Sequence, residues 1–357
     1  MKVFLKVAAA LFFGLCFYLF WSTSHSNLEE FIDQKAADVN LNGAILVAKG
    51  DEILFQKAYG FANKEENFKN TTDTVFPIGS LTKSFTAISI LQLEEDGKLS
   101  IDQPLSDYVQ GFPNGDEITL HHLLTHSSGI PELLKVVDNK NEHSPVEIID
   151  QIKQEELEFK PGEKYAYSNS NYLLLGSIIE SVSGQTYQEY VKENIFEKAN
   201  MNSSGFLNST TDYADGYENM EKPTRSFHDS LTFAAGDVTS TVSDMKRYNQ
   251  AINNHVLLSE EATDKMQTGY MKSAPLGVAN YGYGWHVIDN KISFDHKMIQ
   301  HAGGLAGHKA EFARFIDEDL TIIILTNNQG KTKLGTISRE IASIIFGKRF
   351  FNWQRLI

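Results

Sequence analysis

The apolar positions of this chain change spacing along its length, and the changes divide it into strands, a helical middle and strands again. Ala44–Ala48 and Ile53–Tyr59 are β-rich runs on either side of Gly50-Asp51, which predicts two strands and a tight turn. From Ser80 to Glu95 the spacing is helical: Leu81, Phe85, Ile88 and Leu91 share one stripe, and Gly97 stops the pattern. Helices are also expected over Leu28–Val39, Thr119–Thr125, Asn171–Val182 (ended by Gly184) and Tyr187–Phe196, and Asn63–Asp73 reads as a polar loop. After Tyr283 short runs return at Trp285–Ile288, Ser293–Ile299, Ala310–Ile316 and Leu320–Thr326, with turns at Asp289-Asn290 and Asp317-Glu318-Asp319. Thr332–Phe346 is a last amphipathic helix. The expected fold class is α+β: an antiparallel β-sheet flanked by helices, from about residues 28–100 and 236–357, with a mostly helical lobe over about 101–235 inserted. A cleft between such lobes is a common place for an active site.

The N-terminus follows other rules. Lys2 and Lys6 precede an uncharged apolar run, Val7–Trp21, and small polar residues, Ser22-Thr23-Ser24, follow it. Residues 1–24 therefore read as a signal peptide or an N-terminal membrane anchor through residues 7–21. Either reading sends residues 25–357 out of the cytoplasm, to the periplasm or medium or to the outer face of the cytoplasmic membrane. The single cysteine, Cys16, lies inside the apolar run, and Leu15 stands where lipidation would want a small residue. The rest of the chain thus has no disulfide or thiolate chemistry. A net charge of −14 without a basic stripe argues against a nucleic-acid partner. Oligomeric state is not written in the pattern.

Ser80 stands three residues before Lys83 at the start of its helix. That spacing puts both side chains on one face, one turn apart, where an unprotonated lysine can take the serine proton. The Ser80 N–H also lies near the positive end of the helix dipole, fit to serve an oxyanion. The plainer alternative makes Ser80 an N-cap and Lys83 a solvated residue. Tyr167-Ser168-Asn169 lies in a polar loop. A tyrosine hydroxyl beside an ammonium can have a lowered pKa and relay protons, and Asn169 can accept from the lysine and donate to a substrate carbonyl. His301-Ala302-Gly303-Gly304 is placed at the end of the Ser293 strand, where glycines leave N–H groups accessible. His121, His122 and His126 invite a metal reading, but no Glu stands between the last two as in a His-Glu-x-x-His site, and no third ligand is near in sequence. No Gly-x-Ser-x-Gly elbow is present. Asn70, Asn202 and Asn208 each begin a glycosylation sequon.

Together these motifs resemble the serine beta-lactamase and penicillin-binding protein superfamily, most closely the class C-related branch of D-alanyl-D-alanine carboxypeptidases and esterases. The resemblance runs from about Asn40 to Asn328 and rests on Phe76–Lys83, Leu120–Pro131, Phe159–Asn169, Ala234–Ser240 and Tyr281–Trp285. It implies an antiparallel sheet with a helical lobe, no cofactor, and a small-molecule or peptide substrate such as a cell-wall peptide. It also implies Ser80 as the acylated nucleophile, Lys83 as its proton acceptor and Tyr167 as the group that protonates the leaving group and activates the deacylating water. Asn169 would orient the acyl side chain, His301 and Gly303 match the third motif, and Gly304 would be the second oxyanion donor. That motif usually begins with a lysine whose charge attracts a substrate carboxylate. Histidine, only partly charged near neutral pH, weakens the expectation of a beta-lactamase more than that of a hydrolase, and the substrates implied are D-amino-acid peptides, small esters or amides, with beta-lactams still in range. A non-hydrolytic penicillin- or peptide-binding sensor with the same fold is the alternative, and a metal-dependent hydrolase built on His121–His126 is a third.

Overall fold

A computed structural model describes residues 28–207, 209, 212–222, 227–330 and 333–348. The proposed signal or anchor segment, Cys16 and the Asn208 sequon lie outside the described residues. No described helix is long and apolar enough to cross a membrane.

The described residues fall into two compact units, one within 41–338 and one made of 28–40 with 339–348. The smaller unit holds the Leu28–Asp38 helix and the end of the Leu334–Ile345 helix, tied by Lys35 Nζ to Glu340 at 2.9 Å.

The larger unit contains an eight-stranded antiparallel sheet. Its strands in chain order are β1 (Gly43–Lys49), β2 (Glu52–Tyr59), β3 (Met271–Lys272), β4 (Asn280–Tyr281), β5 (His286–Ile288), β6 (Met298–Leu305), β7 (His308–Phe315) and β8 (Leu320–Thr326), and their spatial order is β2-β1-β8-β7-β6-β5-β4-β3. The first and last thirds of the chain meet at its middle: β1 pairs with β8 from Gly43↔Thr326 to Lys49↔Leu320. Every residue of β8 is buried, as its unbroken Leu-Thr-Ile-Ile-Ile-Leu-Thr run requires. On one face Leu46, Ala310, Phe312 and Ile323 join the main core, where the Val242–Asn253 helix packs on β1 and β8.

The Thr82–Glu95 helix runs through that core and packs on the Asn169–Ser183 and Phe233–Gly236 helices. It departs from the one-sided stripe that its spacing predicts: every residue from Thr82 to Leu93 is buried, Lys83 included. Most of the polar members are buried at little cost because they find partners, although Gln92 Oε1 does not. Ser84 donates to the Leu81 carbonyl at 2.8 Å, Thr86 to the Ala234 carbonyl at 2.6 Å and Ser89 to the Phe85 carbonyl at 2.9 Å.

Three other expectations change. The Ser293–Ile299 strand begins only at Met298 and runs on to Leu305, so His301–Gly304 lies inside β6 rather than at a strand end. Asn290 accepts from the Ile292 N–H, and Phe294 and Asp295 both take φ of 63°, a turn that occupies the expected strand start. The Asn63–Asp73 loop includes part of a short hairpin, Phe61–Asn63 with Phe68–Lys69. Tyr187–Phe196 is an α-helix to Val191 and a π-turn beyond.

Candidate active site

Gly79 sets the geometry at the start of the central helix. Its φ is 53°, and a Cβ there would lie 2.7 Å from the Gly304 nitrogen. A Cβ on Gly303 would overlap the Ile78 carbonyl oxygen. Two glycines thus let β6 lie directly against the chain entering Ser80. Pairing of β6 with β5 stops at Gln300, so among the described residues the 301–305 stretch is bonded on one side only, to β7. A one-turn 3-10 segment, Gly79–Leu81, then leads Ser80 into the helix.

Lys83 Nζ lies 3.2 Å from Ser80 Oγ, 2.7 Å from Asn169 Oδ1 and 2.8 Å from the Ala235 carbonyl oxygen. The side chain is fully buried, and desolvation lowers its pKa to about 7 against an opposing pull from Glu132. A neutral amine in this position donates two N–H bonds, to Asn169 and Ala235, and turns its lone pair to the Ser80 hydroxyl. The expected Ser-Lys pair is therefore assembled, and the reading of Lys83 as a solvated residue is set aside by its burial.

Tyr167 points its hydroxyl at Ser80, and its ring lies 4.9 Å from Lys83 Nζ. The residue as a whole is 37% exposed, but desolvation of its phenol raises its pKa far above the usual tyrosine value. The expected lowering by an ammonium does not occur, since burial outweighs it and Lys83 is itself pushed toward the neutral form. Tyr167 is therefore a phenol, able to pass a proton rather than to wait as phenolate. Environments that drive two titratable groups apart in this way separate a base from an acid.

Asn169 is the first residue of its helix, with Ser168 at the N-cap. Glu132 holds it: the carboxylate accepts from the Asn169 backbone N–H at 2.6 Å and from Nδ2 at 3.0 Å. Neighbouring bonds join the same two segments. Ser168 and Ser170 both donate to the Pro131 carbonyl, at 3.1 and 2.6 Å, and the Ala166 N–H donates to the His126 carbonyl at 2.9 Å. Glu132 escaped the sequence reading, although it directly follows Leu120–Pro131 and precedes a helix as an N-cap that accepts from the Leu134 N–H.

His301 is buried and spends both ring nitrogens internally. Nδ1 is 2.7 Å from the Ala302 carbonyl and so donates, and Nε2 accepts from the Tyr281 hydroxyl at 3.0 Å. Desolvation, with His286 and Lys83 adding to it, holds its pKa well below the usual histidine value. The partial charge expected of His301 near neutral pH is thus absent. The three histidines upstream serve separate partners: His121 Nδ1 meets the Tyr283 hydroxyl at 2.8 Å, His122 Nδ1 accepts from the Thr119 N–H, and His126 Nδ1 accepts from the Ser168 N–H. Among the described residues no group of three potential ligands could hold a metal ion. Asn70 is also buried, donating to the Tyr59 carbonyl and to Asn327, which removes its sequon from solvent.

Ser80, Asn169 and Gly304 face one cavity of about 190 Å³, whose apolar walls include Leu134, Phe227, Leu231 and Leu305. Leu134 and Phe227 come from segments with little hydrophobic periodicity, 128–144 and 200–229, whereas Leu231 and Leu305 lie outside them. Of the sequence-derived site residues, Ser80, Lys83, Tyr167 and Asn169 meet directly, Gly304 lines the same cavity, and His301 and Gly303 are buried behind it.

A half-buried serine beside a fully buried lysine at a helix start, next to an antiparallel sheet, defines the serine beta-lactamase and penicillin-binding protein class. The chain belongs to the beta-lactamase family, whose model matches residues 28–343. It is similar to a penicillin-binding protein of Bacillus subtilis, 30% identical over 339 residues, which cover 87% of this chain and 73% of the relative. It is also similar to the teichoic acid D-alanine hydrolase of Staphylococcus aureus, 26% identical over 85% of this chain and 74% of that one. Among solved structures, an octameric penicillin-binding protein homologue from Pyrococcus abyssi matches with a TM-score of 0.79 and 31% identity, covering 90% of this chain and 77% of the other.

Proposed function

We propose that this protein is an exported serine hydrolase that forms an acyl-enzyme at Ser80. The observation that carries the reading is the Lys83 amine, buried, 3.2 Å from Ser80 Oγ and with its pKa brought to about 7. Lys83 takes the Ser80 proton as Oγ attacks the substrate carbonyl. The N–H groups of Ser80 and Gly304 hold the developing oxyanion. Tyr167 delivers a proton to the leaving group, and water completes the cycle by the reverse route.

The cavity supports a substrate class. Its small volume and leucine- and phenylalanine-lined wall suit a short acyl group of the size of an alanyl residue, carried as an ester, an amide or a cell-wall peptide. The names of the relatives, a penicillin-binding protein and a teichoic acid D-alanine hydrolase, support D-alanyl chemistry outside the cytoplasm. Residues 1–24 supply the export signal or anchor.

A fluorescent penicillin or fluorophosphonate probe tests the reading. Wild type should be labelled and Ser80→Ala should not; no label on wild type, or equal label on both, ends the proposal. A panel of D-alanyl esters, D-Ala-D-Ala peptides and nitrophenyl esters then ranks substrates. One equivalent of product with no turnover would instead make the protein a sensor.

A further inference from the structure

We infer that Glu132 is a positioning residue for the Ser80 reaction, fixing through Asn169 the direction in which the Lys83 amine points. This rests on the hydrolase reading above and adds a residue to it. The observations are geometric. Oε2 of Glu132 accepts from the Asn169 backbone N–H at 2.6 Å, and Oε1 accepts from Asn169 Nδ2 at 3.0 Å and from the Leu134 N–H at 3.4 Å. An ionised carboxylate only accepts, so it can meet the NH₂ end of an amide and never its oxygen. The amide of Asn169 is thereby locked in one of its two orientations. Its oxygen must face Lys83, where it takes one N–H of Nζ at 2.7 Å. With a second N–H bound to the Ala235 carbonyl at 2.8 Å, the remaining position on nitrogen is aimed at Ser80 Oγ. Without Glu132 the amide can turn over and offer Lys83 an NH₂ group, which cannot accept.

Glu132 also acts on Lys83 through charge. The titratable groups that face the amine are Tyr167, Tyr172, His126, His301 and Glu132. Burial holds both tyrosines as phenols and both histidines neutral. Glu132 is the one among them that raises the lysine pKa, opposing desolvation. One carboxylate thus sets both the orientation of the base and the pH at which it becomes available.

Glu132→Gln and Glu132→Asp separate the two effects, measured as the pH profile of kcat/KM with a nitrophenyl ester. The glutamine variant loses the charge and presents its own NH₂ to Asn169. Its rate should fall on the order of 10- to 100-fold, the scale of a misaligned catalytic group. Its acidic limb should move to lower pH by roughly half a unit or more, as expected when an attracting charge is lost. The aspartate variant keeps the charge but is too short to span both N–H groups. It should lose rate with its limb within about 0.2 unit of wild type. An unmoved or upward-moving limb in Glu132→Gln, or wild-type rates in both variants, overturns the assignment. Failure of wild type to acylate at Ser80 would instead overturn the hydrolase reading, so the two outcomes are distinct.

Discussion

Tyr281 donates its hydroxyl hydrogen to His301 Nε2 across 3.0 Å, and this bond leaves the third motif without a cation. The imidazole is already committed through Nδ1 to the Ala302 carbonyl. Recognition should therefore not depend on a histidine charge. We expect the ratio of acylation rates for benzylpenicillin, which bears a carboxylate, and a neutral nitrophenyl ester to stay within about twofold between pH 5 and 7, the window in which an ordinary histidine titrates. Stopped-flow acylation checks this, and a ratio rising steeply toward acid would show that His301 becomes charged.

The Lys83 amine sets the response of the catalytic step to acid. Its pKa is lowered to about 7, so protonation below that value removes the base and neutral amine accumulates above it. kcat/KM should rise through about pH 7 to a plateau on the alkaline side. Lys83→Ala should lower acylation by about two to four orders of magnitude. A pH profile flat from 5 to 9 would contradict the assignment.

Tyr167 stays protonated because burial raises its pKa. Its proton matters most where the leaving group is a poor anion. Tyr167→Phe should cost about 100-fold or more on alkyl esters and amides, and far less on nitrophenyl esters, whose phenolate leaves unaided. Equal losses on both substrate types would argue that Tyr167 does not deliver the proton.

Gly79 and Gly304 face each other but tolerate change differently. A Cβ on Gly79 meets the Gly304 backbone at 2.7 Å, at a φ of 53°, whereas a Cβ on Gly304 meets nothing within 4 Å. Gly79→Ala should destabilise by about 1–3 kcal/mol and disturb the oxyanion site. Gly304→Ala should melt like wild type. Thermal unfolding of the pair decides it.

Asp237 is buried with Oδ1 unpartnered, and desolvation raises its pKa from 3.8 to about 8. Between those values the folded chain holds a proton that the unfolded chain has released, so stability falls as pH rises across the window. Asp237→Asn removes the titration. It should match wild type near pH 4 and melt higher near pH 8, and denaturant curves at the two pH values measure the difference.

The strands and their order in the chain were legible because β8 is rich in buried, β-branched residues and the turns beside it are polar. The start of β6 was not, since the chain turns through Phe294 and Asp295, and a bulky aromatic such as Phe294 rarely announces a left-handed conformation. The nucleophile and its partners could be read from spacing. The burial of Lys83 could not, because Thr82, Ser84, Thr86 and Ser89 look like a solvated face until their hydrogen bonds are seen. Glu132 meets Asn169 across 37 residues of sequence, and no local pattern marks such a pair.

The pairing of β1 with β8 joins Gly43 to Thr326, nearly the two ends of the larger unit. The centre of the sheet therefore cannot close during synthesis until almost the whole chain has emerged. A contact of such long range makes closure slow. Ser80 meets β6 through the same late step, since Gly303 and Gly304 lie one strand beyond β7. The nascent polypeptide would thus remain chemically silent, and the moment at which a covalent probe first marks Ser80 would time the completion of folding itself.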